Sequence, residues 1–309
     1  MTTDDEERIY NNKKVKLTHL HKIFWHKEGF TKGDLINYYE SIADFILPYL
    51  IDKPLSLNRH PDGADEPGFF QKDVDVKHLP IWAKTVEIFS ESNQKTINYL
   101  LCNDKASLIY MANLGCIEIN PWLSIYKKPN YPEFLVIDLD PDGNSKQEII
   151  AVALAVKSVF DSMFIKSFIK TSGSRGMHIY VYVAQIYEYD ILRKFAEFVV
   201  HKVHNLIPKL TSVERSPAKR KNLIYLDFLQ NSKGQTIVAP YSVRPKPGAT
   251  VSMPLNWNQI NNDLDFNNFN ILSVPKIIKQ REEPWNDIKN NKTDLSMALK
   301  LMNRNSVKD

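Results

Sequence analysis

The chain has 309 residues, of which 43% are hydrophobic and 25% charged, with a formal net charge of +4. That composition suits a globular protein with a sizeable core, in one large domain or two ordinary ones. It excludes a membrane-spanning helix, because no apolar run approaches 18 residues, and a zinc knuckle, because Cys102 and Cys116 are the only cysteines and their spacing fits no zinc pattern.

So few cysteines point to a reducing, cytoplasmic setting, and the polar, acidic opening MTTDDEERIYNNKK is unlike a secretory signal. Residues 33–51, GDLINYYESIADFILPYLI, have helical apolar spacing, with Gly33-Asp34 at the start and Pro48 near the end. PLSLNRHPDG follows, with a turn at Pro61-Asp62-Gly63. Residues 85–112 read as short strands and a helix. FLVIDLD, residues 134–140, is a strand, and Asp142 to Asn144 a turn. SKQEIIAVALAVKSVFDSMF is an amphipathic helix, and KSFIKTSGSRGMHIYVYVA is two strands around a Gly-rich connection. A second helix covers about 188–206. NLIYLDFLQ and QTIVAPYSVRP read as two further strands, and the Asn-rich stretch from NQINNDLDFNNFNIL onward as a loop with a terminal helix. This order predicts an α+β fold, a mixed or antiparallel sheet core flanked by helices.

The chemistry concentrates in three places. Asp138 and Asp140 end an apolar strand and share one face, their Cα atoms roughly 6–7 Å apart. Such like charges raise each other's pKa unless a cation lies between them, and a hard divalent ion such as Mg²⁺ or Mn²⁺ takes carboxylate oxygens. Asp227 is a third carboxylate within an apolar run, Leu223, Tyr225, Asp227 and Leu229 alternating onto one face. Three carboxylates from two strands suit the two ions of a nucleotidyl-transfer site. In TSGSRGMHIYV, Gly173 and Gly176 let backbone N–H groups approach an anion. Ser172 and Ser174 offer hydroxyls there, and Arg175 a charge-assisted donor. His178 opens the next strand on the face of Tyr180 and Tyr182.

At these residues the sequence resembles the polymerase domain of prokaryotic non-homologous end-joining ligase D, a member of the archaeo-eukaryotic primase superfamily. The resemblance rests on IDLDPDG, SGSRGMHIYV and LDFLQNSKGQTIVAPYSVRPKPGATVSMPLNW, and covers roughly residues 15 to 260. KLTHLHKIFWHKEGFTKGDLINYY, RHPDG with FFQKD, and IEINPW add to it. It implies a primase-polymerase fold over residues 1–309 as a single domain. An N-terminal lobe to about 130 would bind the 5′-phosphate and template, a catalytic core would span about 131–260, and a polar segment with a helix would follow. It implies that Asp138, Asp140 and Asp227 are both the catalytic and the metal-binding residues, for Mn²⁺ or Mg²⁺. Ser172, Arg175, His178, Gln230, Arg244 and Asn120 would form the nucleotide pocket. Lys22, Lys32 and His19 would hold a DNA 5′-phosphate, and Phe69 and Phe70 would stack on the template. The basic stretch at Arg215, Lys219, Arg220 and Lys221 would contact DNA beside the metal site, as the equivalent loop does in relatives. Asn120-Pro121-Trp122 stands where the family commonly has His-Pro-Trp, and an amide can hydrogen-bond a sugar hydroxyl but cannot take up a proton as imidazole does.

The activity implied is template-dependent transfer of ribo- or deoxynucleotides to a primer 3′-hydroxyl at gaps, breaks and 3′ overhangs, with a taste for ribonucleotides. The partners implied are DNA with a 5′-phosphate, NTPs or dNTPs, a separate DNA ligase, a Ku-like protein and an end-bridging second copy on DNA. No ligase or nuclease block is visible, which suggests a stand-alone, nucleoid-associated polymerase. Two rivals remain: a DNA-end bridging module with little catalysis, which Asn120 favours and the three aspartates oppose, and a sugar-nucleotide enzyme, which the opening Asp-Leu-Asp alone suits.

Overall fold

The computed structural model describes residues 5–91 and 93–305. The chain divides into two compact units. The first comprises residues 1–127, 236–253 and 267–281; the second comprises 128–235, 254–266 and 282–309. Residues 236–253, within the stretch expected as catalytic core, thus count with the first unit.

The first unit opens with the hairpin of β1 (Glu6–Tyr10) and β2 (Lys13–Leu17), then the small pair β3 (Ile23–Trp25) and β4 (Phe30–Thr31). Helix α1 (Lys32–Ser41) starts where Thr31 and Asp34 form a reciprocal capping box. A one-turn helix, α2 (Ala43–Ile46), and a 3₁₀ turn containing Pro48 end that helical stretch. Strands β5 (Leu55–Arg59) and β6 (Phe69–Gln71) follow, then the hairpin β7 (Lys84–Ser90) and β8 (Lys95–Leu101), helix α3 (Lys105–Asn113) and β9 (Cys116–Pro121). β5 is central to a three-stranded antiparallel sheet in the order β6-β5-β9. Cys102 and Cys116 are buried thiols.

The second unit is built on a six-stranded mixed sheet in the order β13-β14-β10-β12-β11-β15. Its strands are β10 (Phe134–Asp140), β11 (Phe168–Thr171), β12 (Met177–Tyr182), β13 (Thr211–Ser212), β14 (Ile224–Asp227) and β15 (Pro254–Leu255). Only the β13–β14 pair is parallel. Helices α4 (Lys146–Ser162) and α5 (Tyr189–Leu206) pack on each other and on β10 and β12. They bury Val152, Val156, Phe160, Phe195, Val199 and Val203 completely, the stripe that their apolar spacing predicts. The pleat gives the sheet two unlike faces. Leu135, Ile137 and Leu139 form the aliphatic one, each wholly buried. The other runs from the Phe134–Tyr180 pair, centroids 5.6 Å apart with Trp285 5.1 Å beyond Tyr180, to the aspartates at the strand ends. Two further helices complete the described chain, α6 (Val274–Gln280) in the first unit and α7 (Ser296–Asn305) in the second. Among the described residues no helix is long and apolar enough to cross a membrane.

Two expectations need correction. NLIYLDFLQ is a strand only through Asp227; its carboxylate accepts the Leu229 N–H at 2.7 Å, an Asx turn that sends residues 229–231 into a 3₁₀ helix and takes Leu229 off the strand face. QTIVAPYSVRP forms no regular strand: isolated bridges join Thr236 to Trp122 and Val243 to Val251. Pro240 lacks an N–H to give to a ladder, and Tyr241 beside it takes a left-handed φ of 66°.

That 3₁₀ helix has a second effect. Where β14 stops, Asn231 takes over as neighbour of β10: its Oδ1 accepts Val136 N–H at 2.8 Å and its Nδ2 donates to Val136 C=O at 2.6 Å and Phe228 C=O at 2.9 Å. The side chain is completely buried. Asn231→Ala strips two backbone groups of β10 of their partner, each worth about 1–3 kcal/mol when left unsatisfied in a core. Urea unfolding should show the variant about 2–4 kcal/mol less stable; a loss under about 0.5 kcal/mol, the range of ordinary surface changes, would refute this role.

Candidate active site

Antiparallel register sets Asp227 opposite Asp138, Asp138 opposite His178, and His178 opposite Lys170. Four adjacent strands therefore place four titratable side chains in one row on one face of the sheet. Asp140 stands two residues along from Asp138 on the same face, opposite Tyr225. Partners across antiparallel strands lie about 4.5–5.5 Å apart at Cα, so the three carboxylates share one end of the sheet. His178, nearly buried, brings Nε2 within 3.4 Å of Asp138 Oδ1. Asp227 accepts the Leu229 N–H at 2.7 Å and the Gln230 side-chain amide at 3.4 Å. Burial pushes its carboxyl up from the ordinary value, and the charge of Asp140 adds to that shift, against the lowering effect of the Leu229 N–H.

Asp140 is half exposed and has a different partner. Arg220 donates to its Oδ2 at 2.7 Å, lies with its guanidinium 4.1 Å from the Tyr225 ring centroid, and also donates to the carbonyls of Arg215 and Glu214. Of the basic stretch, Arg215, Lys219 and Lys221 are exposed, while Arg220 turns inward onto the carboxylate. The oxygen donors suit a hard divalent ion. As they sit, no group of three or more His, Cys, Asp or Glu among the described residues could hold a metal ion. Arg220 occupies Asp140, so that carboxylate would have to give up its guanidinium partner before it could take an ion beside Asp138 and Asp227.

The Gly-Ser connection between β11 and β12 is folded around one hydroxyl. Ser172 Oγ accepts N–H groups from Ser174 and Gly176, both at 3.1 Å, while Gly176 C=O accepts the Ser172 N–H at 2.9 Å. With both lone pairs of Ser172 engaged, its hydroxyl proton is the group left to donate, the polarity an anion requires. Gly173 takes φ +71°, the left-handed conformation glycine adopts without strain. Arg175 is exposed beside it.

The remaining expected residues belong to the first unit, apart from Gln230 on Asp227. Asn120 lies opposite Ser56 on β5, and Glu118 opposite Asn58, so four polar side chains share one face of that sheet. Arg244 approaches Glu118 with Nε 3.1 Å from Oε2. Asn120 Nδ2 and Ser56 Oγ are buried with no hydrogen-bond partner among the described residues. His19, Lys22 and Lys32 come together through backbone bonds, Lys22 N–H to His19 C=O and Lys32 N–H to Lys22 C=O. Lys22 pairs with Asp62 at 2.6 Å. Lys32 is buried and donates to Thr18 C=O at 2.6 Å; burial, and then the charge of Lys22, lower its pKa to about 8. Phe69 and Phe70 are 48% and 61% exposed on the edge strand β6. As successive strand residues they point to opposite faces, and Phe69 carries the Arg59 guanidinium 5.4 Å from its ring centroid.

Sequence reasoning missed Ser56 and Lys170. Each is a polar residue inside an apolar run, and only strand register puts Ser56 beside Asn120, far off in the chain, and Lys170 beside His178 across the next strand.

A mixed sheet with paired carboxylates at its strand ends and an anion-ready Gly-Ser turn is the arrangement of a primase-polymerase fold. A model of the LigD primase-polymerase domain matches residues 31–285, and the chain belongs to that family. Among solved structures, the polymerase domain from Mycobacterium tuberculosis ligase D in complex with DNA superposes with a TM-score of 0.83, covering 93% of this chain and 100% of that one at 24% identity. The fold is thus shared. The bifunctional non-homologous end joining protein LigD of Bacillus subtilis is 31% identical over 300 residues, 95% of this chain and 47% of that protein. The multifunctional LigD of Pseudomonas aeruginosa is 28% identical over 290 residues, 93% of this chain and 34% of that protein. The chain therefore spans less than half the length of these curated relatives.

Gly176 ties the turn to the aspartates. A Cβ there would lie 2.1 Å from Leu139 O and 3.1 Å from Pro141 Cδ, so the backbone between Asp138 and Asp140 would have to shift. Gly176→Ala should therefore displace the end of β10 and cost about 1–3 kcal/mol in urea unfolding, the range for overpacking, while far-ultraviolet circular dichroism stays close to wild type. A loss under about 0.5 kcal/mol would disprove the tight seating.

Proposed function

We propose that the chain is a template-dependent nucleotidyltransferase that adds nucleotides, ribonucleotides by preference, to a primer 3′-hydroxyl at DNA breaks and gaps. The observation that carries this reading is the register placing Asp138 opposite Asp227, with Asp140 one same-face step along, in a chain of the LigD primase-polymerase family. Two divalent ions, Mn²⁺ or Mg²⁺, when bound supply neutralisation of the triphosphate and activation of the attacking hydroxyl. Asp138 and Asp227 are the residues to hold them, with Asp140 completing the set.

The protein's own groups do the positioning. Ser172 donates its hydroxyl proton to the triphosphate, Arg175 its guanidinium, and His178 a ring N–H; Gln230 orients Asp227. Asn120 and Arg244 serve the nucleotide, Asn120 as a hydrogen-bonding group towards a sugar hydroxyl. Lys22 and Lys32, with His19, hold the 5′-phosphate across a gap, and Phe69 and Phe70 stack on bases of the template strand. Arg215, Lys219 and Lys221 steer the DNA backbone. Catalysis on this plan is mostly positioning and charge compensation. A DNA ligase, a Ku-like end-binding protein and a second copy bridging the two ends complete the repair reaction, in a nucleoid-associated, cytoplasmic setting.

The deciding experiment is single-nucleotide incorporation on a short gapped duplex, with Mn²⁺ or Mg²⁺, ribo- or deoxynucleotides, and with or without the downstream 5′-phosphate. Extension should favour ribonucleotides, need the phosphate, and vanish in Asp138→Ala. No extension under any metal, with phosphate-dependent end binding intact, would instead establish the bridging module, and Asn120 would then be the first residue to restore to His.

The lowered pKa of Lys32 gives a separate test. A phosphomonoester gains its second charge near pH 6, and Lys32 loses its proton as pH rises through about 8. Affinity for a 5′-phosphorylated gap should therefore rise from pH 5.5 to 7 and fall above pH 8, while the unphosphorylated gap shows neither limb. Lys32→Arg should remove the alkaline fall, since arginine stays charged. Lys32→Ala should weaken phosphate-dependent binding about 10- to 100-fold, the range for a charged hydrogen bond. Fluorescence anisotropy at constant salt reads all three, and a flat alkaline limb in the wild type would discard Lys32 as the phosphate ligand.

A further inference from the structure

Lys170 is completely buried in the middle of the sheet, where a lysine is seldom found without a specific partner. It takes the fourth place in the row Asp227–Asp138–His178–Lys170. Its Nζ lies 2.9 Å from His178 Nδ1 and 5.8 Å from the Tyr180 ring centroid, a face that favours a cation. An ammonium group has three protons to donate and no lone pair to accept with. While the lysine carries its charge, the nitrogen facing it is the acceptor, and a neutral ring then holds its proton on Nε2, the atom directed at Asp138.

We propose that Lys170 is a positioning residue that fixes His178 in the Nε2–H tautomer, so that the site presents a proton donor, and not a lone pair, beside the carboxylates. The opposite tautomer would turn a bare nitrogen towards Asp138 Oδ1 and towards any phosphate oxygen bound near it, repelling both. A methionine would fill nearly the same volume without the cost of burying a charged group; what it lacks is the hydrogen bond that selects the tautomer. The hydrogen bond made by one ring nitrogen commonly sets the state of the other. The part played towards a triphosphate rests on the proposed function; the tautomer itself does not.

The test is long-range ¹H–¹⁵N correlation on the full, metal-free chain, with the His178 ring signals assigned by their loss in His178→Gln. Wild type should show Nδ1 as an unprotonated, pyridine-type nitrogen and Nε2 as the protonated one. Lys170→Met should move His178 to a mixture or to the Nδ1–H form, and Lys170→Arg, again a pure donor, should restore the wild-type pattern. In the incorporation assay Lys170→Met should raise KM for the nucleotide about tenfold with a smaller change in kcat. A wild-type spectrum with the proton on Nδ1 overturns the proposal and needs no variant to fold, and so does a Lys170→Met spectrum identical to wild type. Absence of incorporation by the wild type would sink the polymerase reading while the nitrogen shifts still decide the role of the lysine.

Discussion

The second unit depends on one pairing, Asp138 opposite Asp227 across two antiparallel strands. Two carboxylates at that separation repel, and like charges directly opposite one another weaken a sheet. The register holds because the rest of the strands fixes it. Leu135, Ile137 and Leu139 are fully buried on the other face, and a slip of one residue would turn all three outward and all the aspartates into the aliphatic layer. Apolar burial under α4 and α5 thus fixes in place an arrangement that electrostatics alone opposes. The same alternation accounts for the aromatic end of the face, where Phe134, Tyr180 and Trp285 give the strands a packed floor before the polar row begins.

Local hydrogen bonds finish what the register starts. β14 ends because Asp227 binds the backbone two residues on, and that turn brings Asn231 back to serve both groups of Val136. One aspartate thus terminates its own strand, and the asparagine four residues later repairs the ladder that the termination broke. Across the sheet, Ser172 gathers two N–H groups of the Gly-Ser turn, and Gly176 lets that turn lie against Leu139 O. The anion-facing turn and the aspartate strand are thus in direct backbone contact within a single unit, so neither can shift without the other.

The elements whose signal is local were legible in the sequence: period-two alternation exposed the Asp138–Asp140 pair, helical spacing gave α4 and α5, and the glycines marked the β11–β12 connection. What needed three dimensions was cross-strand partnership. Lys170 reads as one lysine in an apolar run until β12 lies beside β11, and Ser56 is anonymous until β9 brings Asn120 opposite. Asn231 carried no signal at all, because a side chain that imitates a β-strand neighbour leaves no periodic trace. The failed strand at QTIVAPYSVRP has the reverse cause. Its apolar residues are real core, with Val238, Ala239 and Val243 buried, but Pro240 and the left-handed Tyr241 deny them a ladder. Burial pattern and hydrogen-bond geometry are separate requirements, and only the first is written plainly in a one-dimensional pattern.

Charge is handled alike in the two units, each taken by itself. Lys32 in the first is a buried cation whose hydrogen bonds go to the Thr18 carbonyl and hydroxyl. Asp227 in the second is a largely buried anion held by an N–H and an amide. Both are steadied by neutral dipoles, which offset part of the desolvation cost without cancelling the charge. The pKa of each moves towards the neutral form accordingly, Lys32 down and Asp227 up. A full counter-ion would have moved each the other way. Groups poised in this manner gain more from a ligand of opposite sign than exposed charges do, because water competes less and the protein has already met the cost of burial. On the proposed function those ligands are a phosphate at Lys32 and a divalent cation at Asp227, each opposite in sign to the buried group it would meet.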